Sequence, residues 1–109
     1  MTKLRQPRFS HRLAMHYSTG DGALPRGGCT LDLSANGLFL RSPNVLPQGT
    51  HVLGRVEFPD GRNAEVHGVV AWNRPATRSV TETTRGGMGL KLLWAENPYF
   101  EFLAQAVVP

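Results

Sequence analysis

Residues 64–72 read AEVHGVVAW, in which Ala64, Val66, Gly68, Val70 and Trp72 alternate with Glu65 and His67. Successive side chains of an extended chain point to opposite faces, so a period of two describes a strand that buries one face and wets the other. The same alternation sets Val52, Gly54, Val56 and Phe58 against Leu53, Arg55 and Glu57, and Leu13, Met15 and Tyr17 against Ala14 and His16. Shorter runs over 28–33, 37–41 and 87–93, each bounded by Gly, Pro or Asn, bring the set to six strands. Asp60-Gly61, within FPDGRN, is a pair favoured in hairpin turns and joins two of these strands antiparallel. Slipping a register by one residue would turn every buried side chain outward, so this patterning constrains the fold tightly.

The end of the chain changes period. Asn97 can cap a helix with Pro98 in its first position, and Tyr99, Phe102, Leu103 and Ala106 then share one face. A short sheet exposes its edges unless it closes on itself. The expected fold is therefore all-β with a C-terminal helix, a six-stranded antiparallel β-barrel. A chain of 109 residues makes one domain with one core. Residues 1–7 read as a flexible arm and 8–109 as the domain. The segments 18–27 and 75–85, rich in Gly, Pro, Ser and Thr, read as loops.

The net charge of +4 suits an anionic partner. Ten of the twelve cations are Arg, the type suited to bidentate phosphate and guanine contacts, but they are scattered along the chain rather than run together. Cys29 is the only cysteine, which excludes an intrachain disulfide and a cysteine-based zinc site and reads as an intracellular, cytoplasmic chain. No apolar segment follows Lys3, Arg5 and Arg8 as a secretory signal requires, and no run is long enough to span a membrane.

Catalytic chemistry finds little support. His11, His16, His51 and His67 show no metal-ligand spacing, and Ser10 beside His11 lacks the setting of a nucleophile, since adjacent residues of a strand diverge. The carboxylates form no evident pair. No enzyme, no metal and no cofactor are expected. Trp72, sharing the alternation of Val70, reads as core, and Arg41, Arg74 and Arg85 as solvated surface.

Two polar stretches remain. RFSHR puts Arg8 and Arg12 four residues apart, on one side of an extended chain with Ser10 between them. DLSANG puts Asp32 and Ser34 two apart, on one side if the chain is extended there, with Gly37 free to make a tight turn or admit a close neighbour. Alone, the second stretch describes an ordinary turn whose side chains bond to nearby amides. Together and in order, with 20 residues from Arg12 to Asp32, then Val70 and Trp72, then Gly87-x-Gly89-Leu90 and a C-terminal helix, they resemble the PilZ domain family from about Arg8 to Ala106.

That resemblance implies a stand-alone, single-domain receptor for the bacterial second messenger cyclic di-GMP, with Arg8, Arg12, Asp32, Ser34 and Gly37 at the ligand. The chemistry agrees: guanidinium forks bond bidentately to phosphate oxygens or to guanine O6 and N7, and a carboxylate accepts from guanine N–H groups. It further implies an adaptor that reports the ligand to an unidentified protein partner in motility, exopolysaccharide or related regulation; Pro7 and the polar residues before it read as a loose arm that the ligand would fasten. Two alternatives are a PilZ-like interaction module that binds no ligand, and a small basic barrel for single-stranded nucleic acid. The latter calls for aromatics interleaved with cations on one face, and with nine aromatics, several claimed by core and helix, nucleic acid is not the expected partner.

Overall fold

The computed structural model describes residues 9–20, 22–75, 77–78, 83–84 and 86–107. Its elements are β1 (Ala14–Ser18), β2 (Arg26–Leu33), β3 (Gly37–Arg41), β4 (His51–Glu57), β5 (Asn63–Arg74), β6 (Thr77–Arg78), β7 (Thr83–Thr84), β8 (Gly87–Ala95) and α1 (Asn97–Val107). Six of the strands close into an antiparallel barrel in the order β1–β2–β3–β8–β5–β4. The expected six-stranded barrel with a C-terminal helix is therefore present. In the FPDGRN turn, Gly61 sits at φ +90, a conformation that favours glycine, and its N–H donates to the Phe58 carbonyl at 3.0 Å.

The alternating positions fill the interior: Met15, Tyr17, Leu33, Leu38, Leu40, Val52, Val56, Val66, Val70 and Met88 are buried. Tyr99 and Leu103 of α1 join this core, and Phe102 stacks on Phe58 with ring centroids 5.0 Å apart. The Tyr99 hydroxyl donates to the Ser34 carbonyl at 2.7 Å, which fixes α1 to the β2–β3 turn. At its solvent side, the Arg62 guanidinium bridges Asp60 at 2.9 Å and Glu101 at 2.7 Å, tying the β4–β5 turn to α1. The Arg62 main-chain N–H, seconded by that guanidinium, holds the Asp60 carboxyl below its ordinary value.

Two expectations need correction. The segment 75–85 is not wholly loop, because Thr77–Arg78 pairs with Thr83–Thr84 as a separate two-stranded ladder. Trp72 is not core: it is 45% exposed. The cause is a bulge, since Val70 pairs with Leu90 but Trp72 pairs with Gly89, so two steps along β5 match one along β8. The extra residue, Ala71, reverses the alternation and turns the indole outward.

Ahead of β1, the chain from Phe9 to Leu13 runs antiparallel to the end of β2. Phe9 and Leu33 exchange two main-chain hydrogen bonds, of 2.8 and 2.9 Å. Buried Thr30 makes the second fastening: its hydroxyl donates to the His11 carbonyl at 2.7 Å and accepts from the Leu13 N–H at 2.9 Å. Thr30→Val keeps the shape but leaves two main-chain groups unpaired, so urea unfolding is expected to show a loss of about 1–3 kcal/mol.

Candidate functional site

The Phe9–Leu33 pairing brings RFSHR beside DLSANG, which are 20 residues apart from Arg12 to Asp32. Arg12 is exposed on the segment that lies along β2. Arg8, the other arginine of the motif, lies outside the described residues, as does the arm 1–7. From Phe9 onward the chain is bonded to β2.

Asp32 reaches the outer wall through a second bulge. Thr30 pairs with Leu40 and Asp32 with Phe39, which leaves Leu31 as the extra residue. Without it Asp32 would share the inward direction of Thr30; with it, Asp32 stands half-buried beside Phe39 on the outside. The cross-strand partners then run in one row over four strands: Asp32, Phe39, Gly89, Trp72. The adjacent row reads Cys29, Arg41, Gly87, Arg74.

The two glycines of β8 explain this surface. A Cβ on Gly89 would lie 2.1 Å from Trp72 Nε1, and one on Gly87 would lie 2.4 Å from Phe39 Cζ. Both rings therefore lean over β8 where it carries no side chain, stacked with centroids 5.0 Å apart and planes at 18°. The result is an aromatic pair, Phe39 half-buried and Trp72 exposed, in a row that ends at Asp32 and beside the row that carries Arg41 and Arg74. Sequence alternation alone missed Trp72 and did not single out Phe39. The signal available was Gly87-x-Gly89, whose bare outward positions need rings from neighbouring strands.

Ser34 and Gly37 occupy a different environment. Ser34 is 1% exposed. Its hydroxyl donates to the Gly37 carbonyl at 3.1 Å and accepts from the N–H groups of Asn36 and Gly37 at 3.3 and 3.2 Å. Gly37 is buried, and a Cβ there would lie 2.5 Å from the Leu90 carbonyl oxygen, so the β3–β8 approach already requires glycine. The structure thus brings Arg12 and Asp32 to one side of the barrel and sets Ser34 and Gly37 in the turn that supports it. Asp32 and Ser34 do not project together, because the turn has consumed the hydroxyl.

These roles separate in stability. Ser34→Ala removes the turn's hydroxyl and is expected to cost about 1–3 kcal/mol in urea unfolding, whereas Arg12→Ala, an exposed substitution, is expected to stay within about 0.5 kcal/mol of the parent.

Among the described residues no helix is long and apolar enough to cross a membrane. No curated protein matches the chain. Among solved structures, the inhibitor of motility MotI/DgrA of Bacillus subtilis superposes with a TM-score of 0.72 at 14% identity, covering 96% of this chain. The chain spans 49% of the length of that protein, and the likeness is one of fold. The family model for the PilZ domain matches residues 3–100. The chain belongs to the PilZ domain family.

Proposed function

We propose that this chain is a receptor for cyclic di-GMP that acts by binding rather than catalysis and relays the ligand to a protein partner. The observation that carries this reading is the Phe9–Leu33 pairing, which sets the arginine-bearing segment beside the Asp32 end of β2. In this reading Arg8 and Arg12 clasp phosphate or guanine edges, Asp32 accepts from a guanine, and Trp72 offers a ring for stacking. Ser34 and Gly37 contribute by holding the β2–β3 turn that presents Asp32. Control of motility, exopolysaccharide or a related output is the role proposed for the partner; the fold neighbour is itself named an inhibitor of motility.

The energies suffice. Micromolar affinity needs about −8 kcal/mol. A charge-assisted hydrogen bond contributes about 1.5–3 kcal/mol and a stacked base about 1–3 kcal/mol. Four or five such contacts outweigh the entropy lost on association.

One observation favours a second reading. Phe39 and Trp72 lie beside Arg41 and Arg74 on one face, the aromatic and cationic mixture that single-stranded nucleic acid uses. Isothermal titration distinguishes the two. Cyclic di-GMP is expected to bind at micromolar or tighter affinity, and Arg12→Ala to weaken it more than about tenfold, a loss of 1.4 kcal/mol or more. Normal binding by Arg12→Ala would remove that residue from the site, while binding of an oligonucleotide with no heat from the dinucleotide would establish the second reading.

A further inference from the structure

A pair of histidines stands on the outer wall, in a part of the barrel that the proposed ligand site does not use. His51 opens β4 and His67 lies within β5. In the register His51 faces Val69 and His67 faces Leu53, so the histidines are diagonal neighbours on one face. Diagonal positions of an antiparallel pair are about 7–8 Å apart, within reach of two imidazoles. The rings do meet: His51 Nδ1 lies 3.2 Å from His67 Nε2, with ring centroids 5.3 Å apart and planes at 48°. His67 is half-buried, in a row between Leu53 and Trp94 that restricts its swing, whereas His51 is exposed.

We propose that His51 and His67 form an open binding site for a divalent transition metal of the zinc, nickel and copper class. In the metal-free pair one imidazole N–H is donated to the lone pair of the other. A metal instead takes a lone pair from each nitrogen. With metal–nitrogen bonds of 2.0–2.1 Å, two such ligands stand about 2.9 Å apart at right-angle coordination and about 3.3 Å apart at tetrahedral coordination. The observed 3.2 Å lies inside that span, so the two nitrogens need not move apart to admit the ion; each ring turns so that its lone pair meets the ion off the line between them.

Imidazole donors select zinc, copper and nickel over magnesium and calcium, which take oxygen. Among the described residues no third His, Cys, Asp or Glu completes a cluster with them. Among those residues the remaining coordination positions are open to water or to an exchangeable outside ligand.

The test uses the full chain freed of any affinity tag, titrated calorimetrically with zinc chloride, nickel chloride and magnesium chloride. One equivalent of zinc and of nickel is expected to bind, and magnesium to give no heat. Losing even an outer-shell partner of a metal ligand costs about 10–100-fold in affinity, so His51→Gln and His67→Gln are each expected to cost at least tenfold. His16→Gln, on β1, is expected to leave the affinity unchanged. Circular dichroism of each variant separates loss of the site from loss of the fold. No zinc heat up to millimolar concentration, or zinc binding that survives both substitutions in a folded protein, would overturn the proposal.

Discussion

Thr30 joins the N-terminal segment to the barrel, and the candidate site depends on that join. Its hydroxyl serves both His11 and Leu13, and its own N–H donates to the Leu13 carbonyl at 2.9 Å. Because Thr30 is buried, these bonds face no competition from water, and an unmade one would carry its full desolvation cost. With Phe9 and Leu33 paired a few residues further on, the segment has one course along β2. Arg12 thereby acquires a fixed neighbourhood although it lies in no regular strand.

The outer surface then follows from departures from regularity. Bulges at Leu31 and Ala71 each reverse an alternation and turn Asp32 and Trp72 from inward to outward. Glycines 87 and 89 leave β8 bare where Phe39 and Trp72 lie down. Each device weakens a strand locally, since a bulge leaves a residue unpaired and glycine packs nothing. The regular parts of the barrel and α1 offset that cost, with Tyr99 fixing the β2–β3 turn from below.

The barrel was legible because its signals are periodic. Val52, Val56, Ala64, Val66 and Val70 are inside as their alternation requires, and Tyr99 and Leu103 face the core at helical spacing. The site was legible in part. Arg12 and Asp32 stand on neighbouring antiparallel segments, whereas Ser34 and Gly37 are taken up by the turn and by the approach of Leu90. Alternation alone puts Trp72 in the core, because a bulge leaves no mark on an alternating sequence until its partner strand is known. The His51–His67 contact was invisible for a similar reason: it depends on register across the β4–β5 hairpin, not on spacing along the chain.

In the proposed function the segment Phe9 to Leu13, the Asp32 end of β2 and the Trp72 face make one binding surface. Its most direct test is a two-dimensional NMR titration with cyclic di-GMP. Amide shifts are expected to concentrate in residues 9–13 and 32–39 and at the Trp72 indole N–H, with the Trp94 indole and residues 51–57 of β4 unmoved. Shifts concentrated around Trp94 and β4, with Arg12, Asp32 and Trp72 unaffected, would place the ligand elsewhere on the barrel and contradict it.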